Sequence, residues 1–276
     1  MASSSTDLTK TPPKALTFDI FGTVVDWRKT VTSMLIYSAA AKVSSSSRSA
    51  EISPEVRRRL SKLTDESWRQ FAQQWRDAYK VFVKGYKPNE DPWRDIDTHH
   101  RLSLIDLLKK WGLEGLYNDD EVEDLSLVWH FLEPWPDSSS GLQKLGTKFI
   151  TSTLSNGNQS LLKDLDEHGN LGFKMLQSSE DFKAYKPHPS TYLGAAKKMR
   201  LKPDEVAMVA AHLVDLQAAR SCGFKTIYVE RRQEEDWNRN EKEYQDAKTW
   251  VDMWVTEDED GFEEVARRFK IDINTL

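Results

Sequence analysis

Asp19 is the first residue along the chain whose setting suits covalent chemistry. It follows the mostly apolar run Ala15-Leu16-Thr17-Phe18, and Gly22-Thr23 breaks the sequence just beyond it. A short apolar run ended by Gly reads as a buried central strand that stops where the chain must turn. A carboxylate at the C-terminal tip of such a strand faces the crevice where open α/β sheets bind ligands. The plainer reading is an Asp that caps the turn, with Thr23 four residues on. Both readings stand on this stretch alone.

Other chemically able side chains recur at intervals. Ser155-Asn156-Gly157 offers a hydroxyl and an amide; alone it also reads as an Asn-Gly turn. Lys186-Pro187 with Tyr192 six residues on is, on bare residues, helix-entry chemistry followed by a helix-face aromatic. His212 stands three residues before Asp215, and an imidazole can act as a base near neutral pH, although a lone His near a strand end is ordinarily structural. Arg76 lies in Phe71–Tyr79, within a helix rich in basic residues, where a solvated arginine is the ordinary case.

These residues need a scaffold, and the pattern of elements supplies one. Strands are expected at Lys148–Leu154, Phe173–Gln177, Glu205–Ala210, Lys225–Val229 and Val251–Val255, separated by helices at Asn158–His168, Pro189–Met199, Asp215–Cys222 and Gly261–Phe269. Strands alternating with helices across short connections imply a parallel, doubly wound sheet. Residues 27 to 146 contain no strand-like run. Helices are expected there at Trp27–Lys42, from a Ser53 N-cap with Pro54 to about Gly85, at Trp93–Trp111 and at Asp119–Leu132. The division is therefore a disordered lead-in over 1–13, an α/β core over 14–26 and 137–276, and an all-helical insert over 27–136. Arg231–Lys248, charged and poor in apolar residues, reads as a surface loop or solvated helix.

Composition bounds the class. In 276 residues, 38% hydrophobic and 30% charged side chains describe a globular protein with ample aromatic core volume. A net charge of −5 without a basic patch argues against nucleic acid as a partner. One cysteine, Cys222, excludes an internal disulfide and suits a reducing compartment, with the cytoplasm as default. No apolar run approaches the roughly 20 residues of a membrane span, and the Ser-, Thr- and Pro-rich N-terminus lacks the apolar core of a signal peptide.

The pattern hydrophobic-Phe-Asp19-x-x-Gly22-Thr23, followed in order by Ser155-Asn156, Lys186/Tyr192 and Asp215, resembles the haloacid dehalogenase superfamily over roughly residues 14–270. The resemblance implies a Rossmann-like core with an inserted helical cap, and Asp19 as covalent nucleophile. Phosphatases of that superfamily carry a second Asp two residues after the nucleophile, which protonates the leaving alkoxide. Here that position is Phe21. A departing halide needs no proton, so the resemblance narrows to the type II (S)-2-haloacid dehalogenases.

Within that family, Ser155 and the backbone N–H groups of Ile20 and Phe21 would hold the substrate carboxylate. Asn156 and the cap residue Arg76 would bind the halide, and preorganised charge of this kind is typically the largest catalytic contribution. Lys186 would keep Asp19 ionised, since a positive charge within about 4–6 Å lowers an Asp pKa by about 1–3 units. Tyr192 would hydrogen-bond within the site. Asp215 would orient water or hold Lys186. The chain departs from the Ser-Ser-Asn-x-x-Asp pattern of the bacterial enzymes, with Ala210, Ala211 and His212 in those places; His212 replaces an amide that helps place water. Trp75, Tyr79 and Trp135 would line the wall around the halogen or pack as core. The expected reaction hydrolyses short 2-haloalkanoic acids to 2-hydroxy acids through an aspartyl ester, without metal or cofactor, in a protein that forms a homodimer. A phosphatase or phosphonatase-like hydrolase and a non-catalytic binding protein are the alternatives.

Overall fold

The structure, a computed structural model, describes residues 8–44 and 52–271. The chain divides into two compact units. One holds the residues through Asp26 and those from Glu133 on, the other Trp27–Leu132.

The second unit is helical. It comprises α1 (Trp27–Ser44), α2 (Pro54–Leu60), α3 (Asp65–Gly85), α4 (Ile96–Lys110) and α5 (Asp119–Ser126), closed by a 3-10 turn at Leu127–His130. The helix expected from Ser53 to about Gly85 is two helices. Thr64 restarts it: its hydroxyl accepts the Ser67 N–H at 3.3 Å while Ser67 Oγ accepts the Thr64 N–H at 3.2 Å, a reciprocal cap that satisfies two otherwise orphaned donors. Asn118 and Glu121 do the same for α5. Aromatic side chains fill the interior, with Trp27 stacked on Trp129 and the edge of Trp75 against Trp129 at 5.4 Å. The Trp75 indole N–H is satisfied by the His100 carbonyl at 3.1 Å, as a buried Trp requires.

The first unit is built on five parallel strands, β1 (Ala15–Phe18), β2 (Ile150–Thr153), β3 (Val206–Ala210), β4 (Lys225–Val229) and β5 (Met253–Val255), in the order β2-β1-β3-β4-β5. Its helices are α6 (Ser138–Lys148), α7 (Gln159–His168), α8 (Pro189–Lys198), α9 (Leu213–Ser221), α10 (Lys242–Trp250) and α11 (Gly261–Arg268). Every residue of β1 and β3 is buried, which is why both read as unbroken runs: a parallel sheet is covered on both faces. The register pairs Phe18 with Thr153 on one side and Val209 on the other. The carboxyl ends of β1, β2 and β3 are thus level, and strand order reverses at β1, where this fold opens its ligand crevice. The doubly wound core interrupted by an inserted helical unit is the architecture found.

Local expectations needed correction. Phe173–Gln177 is not a strand; single bridges join Met175 to Ser152 and Ser178 to Ser155. Between them the Thr153 hydroxyl takes the Gln177 N–H at 2.7 Å and returns its proton to the Gln177 carbonyl at 3.0 Å, so a side chain replaces the ladder. Ser138–Lys148 is a helix that the sequence reading passed over. Glu133–Pro136, assigned to the insert, belongs with the sheet: Pro134 bridges to Val25, and the Trp135 indole donates to the Gly22 carbonyl at 3.0 Å. Of the lead-in, residues 1–7 lie outside the described residues, while Leu8 is buried and the Thr11 carbonyl accepts from Lys225. The Arg231–Lys248 insert is partly interior, with Arg231 and Glu234 buried. Among the described residues no helix is long and apolar enough to cross a membrane.

Candidate active site

The turn after β1 is what aims Asp19. Its N–H continues the ladder to the Val209 carbonyl at 3.0 Å. The Ile20 carbonyl then gathers the N–H groups of Thr23, Val24 and Val25 at 3.2, 2.9 and 3.2 Å. So tight a reversal needs a left-handed residue, and Gly22 supplies it at φ +86°. The turn brings the Thr23 hydroxyl back onto Asp19 Oδ2 at 2.7 Å, and the Ala211 N–H fixes that hydroxyl at 2.9 Å. Asp19 therefore does more than cap a turn.

Lys186 enters from the loop before α8. Its Nζ donates to Asp19 Oδ1 at 2.9 Å and to Asp215 Oδ2 at 2.6 Å. The cation between the two carboxylates is thus the lysine ammonium. The Tyr192 hydroxyl donates to Asp215 Oδ1 at 2.6 Å, so both Asp215 oxygens are engaged. His212 Nδ1 lies 3.0 Å from Asp19 Oδ2. Oδ2 then accepts from Thr23 and His212, Oδ1 from Lys186. All of these side chains are nearly excluded from solvent.

Burial alone would push the Asp19 carboxyl up, but the Lys186 charge and the His212 hydrogen bond and charge overcome it and hold Asp19 well below the usual carboxylate range. Asp215 moves the other way: burial, with Asp19 as a negative neighbour, outweighs Lys186 and raises it. Lys186 is raised, its two carboxylates outweighing burial. His212 corrects a sequence expectation. Burial opposes its charge, yet the hydrogen bonds and charges of Asp19 and Glu234 carry the imidazole up to about 9. At neutral pH it is an imidazolium, a donor rather than a base.

This has a measurable consequence. A group raised on folding stabilises fully below its unfolded value, near 6.5, and that stabilisation disappears as pH climbs through about 9. Urea unfolding should show the wild type losing on the order of 3 kcal/mol across this window, a fall that His212→Gln should lack.

The remaining candidates fall into place differently. Asn156 braces the lysine loop: its Oδ1 accepts the Lys186 N–H at 2.8 Å and the Ser179 hydroxyl at 2.6 Å, while Nδ2 donates to the Lys186 carbonyl at 3.4 Å. Ser155 is buried at the tip of β2 and accepts the Gly157 N–H at 3.2 Å, which leaves its own proton to give. Ile20 and Phe21 form the turn itself. Arg76 is buried on α3 in the helical unit, its guanidinium 4.6 Å over the Tyr79 ring and 5.7 Å from that of Trp27. Trp75 and Tyr79 are interior to that unit.

Residues that the sequence reading missed come from the charged insert. Arg231 donates to the Thr23 carbonyl at 3.1 Å and grips Asp137 with both ends of its guanidinium at 2.6 and 2.8 Å. Glu235 accepts the Leu213 N–H at 2.8 Å, capping α9 beside His212. Glu234 Oε2 lies 3.5 Å from His212 Nε2. The available signal was position: the acidic run Glu234-Glu235-Asp236 a few residues past a strand tip on the ligand side of the sheet. A β-carbon on Gly22 would come within 2.1 Å of Glu234 Oε2. Gly22→Ala should therefore cost more than the about 1–2 kcal/mol of a left-handed alanine. In a Glu234→Ala background the cost should fall toward that value, read as coupling in a double-mutant cycle.

The site has counterparts. The family model for haloacid dehalogenase-like hydrolases matches residues 13–223. The (S)-2-haloacid dehalogenase 1 of Pseudomonas sp. (strain CBS-3) is 33% identical over 127 residues, 45% of this chain and 55% of that protein. The chain spans about half the length of such curated relatives. Among solved structures, a defluorinating L-2-haloacid dehalogenase superposes with a TM-score of 0.75 at 28% identity, covering 94% of this chain and 95% of the other. A second L-2-haloacid dehalogenase gives 0.72 at 29%, covering 93% and 99%. With a family match across three-quarters of its length, a level row of strand tips and one ion-paired carboxylate at the central tip, this chain belongs to the haloacid dehalogenase-like hydrolases.

Proposed function

We propose that the chain is a hydrolytic dehalogenase of short 2-haloalkanoic acids, working through an ester on Asp19. The observation that carries this reading is the asymmetric setting of Asp19: Oδ2 accepts from Thr23 and His212, Oδ1 from Lys186, and the residue two positions on is Phe21, which has no proton to give. Oδ1, with one donor, keeps more of its lone-pair capacity and is the attacking atom. It bonds to C2 of the substrate as the carbon–halogen bond breaks and the halide leaves with the electron pair. Ser155 and the Ile20 and Phe21 N–H groups hold the substrate carboxylate in this reading, and Asn156 is assigned to the halide.

Water then adds to the Asp19 carboxyl carbon, giving one proton to Asp215. The resulting oxyanion is Oδ2, already faced by the Thr23 hydroxyl and the His212 N–H; donors arranged before the charge develops cost no reorganisation. Collapse breaks the bond to Oδ1, and Lys186, 2.9 Å from that atom, protonates the departing alkoxide to give the 2-hydroxy acid. Asp215 returns its proton to Lys186, and the regenerated Asp19 carboxyl loses the last proton to solvent. A cytoplasmic setting accords with the single free Cys222, and a homodimer with the exposed Met34 and Tyr37 of the helical unit.

The test is halide release from chloro-, bromo- and fluoroacetate and both 2-chloropropionates, with a single turnover in oxygen-18 water. The reading expects one heavy oxygen in the Asp19 peptide. An unlabelled Asp19 with a fully labelled product overturns it.

A further inference from the structure

The charged insert touches the site through one carboxylate whose role the reaction above leaves open. We propose that Glu234 is a positioning residue for the hydrolytic half-reaction: its carboxylate, seated over Gly22, fixes His212 through Nε2 so that Nδ1–H stays aimed at Asp19 Oδ2 after the ester has formed. This rests on the dehalogenase reading and deepens it.

Three observations support the assignment. First, the segment is anchored on both sides of Glu234. Arg231 is tied to Thr23 and Asp137, and Glu235 to the N–H groups of Leu213 and Trp237 at 2.8 and 2.7 Å. Second, the carboxylate is buried with Oε2 3.5 Å from His212 Nε2, over a glycine whose lack of a side chain admits it. Third, the imidazole lies between two carboxylates, Asp19 at Nδ1 and Glu234 at Nε2. It can donate to both only if both nitrogens carry protons.

The charges facing His212 change during the cycle. In the resting enzyme Asp19 and Glu234 both favour the imidazolium, with Glu235 nearby and Lys186 and Asp215 across Asp19. Ester formation converts Asp19 from an anion to a neutral group and withdraws its share. Glu234 is then the adjacent full negative charge. It keeps the proton on Nδ1 when Oδ2 becomes an oxyanion and most needs a donor. Glu234 touches neither substrate nor reacting atoms in this scheme; it acts through His212.

Glu234→Gln keeps the shape and removes the charge. Rapid-quench kinetics should show the halide burst at wild-type rate and the following steady state slowed at least tenfold, with intact ester on Asp19 accumulating in mass spectra. The alkaline limb of kcat should move down by about one pH unit or more, and Glu234→Asp, which retains charge, should move it back toward the wild type. An NMR titration of the resting enzyme, without substrate, should find the His212 midpoint lowered in Glu234→Gln. An unchanged burst ratio, limb and midpoint would overturn the assignment. Failure of wild-type Asp19 to take up heavy oxygen would instead overturn the dehalogenase reading, while the substrate-free titration still reports on Glu234 alone.

Discussion

Asp19→Asn should abolish turnover while leaving the fold standing. The amide has the shape of the carboxylate but not its nucleophilicity, and no other carboxylate holds its place at the tip of β1. Removing a nucleophile that acts in concert with its neighbours costs orders of magnitude. Halide release from 2-chloropropionate should drop by a factor on the order of 10⁴ or more, with no covalent adduct. Stability should change far less, because Lys186 retains Asp215 at 2.6 Å. Loss of the Asp19 charge should show instead at His212, whose titration falls back from about 9 toward its ordinary value. Substantial halide release by Asp19→Asn would defeat the covalent scheme.

Lys186→Met should damage both fold and chemistry. The substitution keeps roughly the length of the stem and deletes the one cation that Asp19 and Asp215 share. Breaking a buried ion pair from one side typically costs about 3–5 kcal/mol, because the remaining charge is left uncompensated. The acid side of the stability profile should also change. In the wild type Asp19 is depressed on folding, so its stabilising share is present above about pH 4 and is lost as pH falls further. Without Lys186 the largest charge opposing burial is gone at both carboxyls, so both move up and the variant should lose less stability than the wild type as pH falls below about 4. Turnover should fall roughly 10³-fold, since Asp19 is less ionised and the departing alkoxide has lost its donor. Denaturant midpoints at a series of pH values, together with halide release, check both parts; a variant with unchanged stability and an unchanged pH trend contradicts the geometry.

Much of the scaffold was legible because burial leaves a mark on residue type. Ala15–Phe18 is mostly apolar and Val206–Ala210 wholly so because both faces of the sheet are covered, and a Gly marks where the first of them turns. Parallel strands deliver the positions of Asp19, Ser155 and Asp215 to one edge, and the resemblance singled out Lys186, which arrives from a loop. Less legible was anything decided by a partner far along the chain. Arg231 reads as a solvated charge until it meets Asp137, 94 residues away. Glu234 reads as part of an acidic surface until Gly22 makes room for it. His212 reads as a base from its ordinary titration, or as a structural residue; two carboxylates from different segments raise its titration instead. The break at Ser61–Thr64 was hidden because Arg58, Arg59, Leu60 and Lys62 all tolerate a helix, and only the paired hydroxyls of Thr64 and Ser67 interrupt it.

The strand that carries Asp19 hydrogen-bonds to β2 and β3, which begin at Ile150 and Val206. During synthesis β1 therefore leaves the ribosome more than a hundred residues before its first partner. The helices of Trp27–Leu132 close through near neighbours in that interval, and local contacts form fastest. Chain order therefore lets the insertion form before the sheet that flanks it in sequence. A nascent polypeptide that stops short of Glu234 carries Asp19 but lacks the carboxylate that faces His212 Nε2.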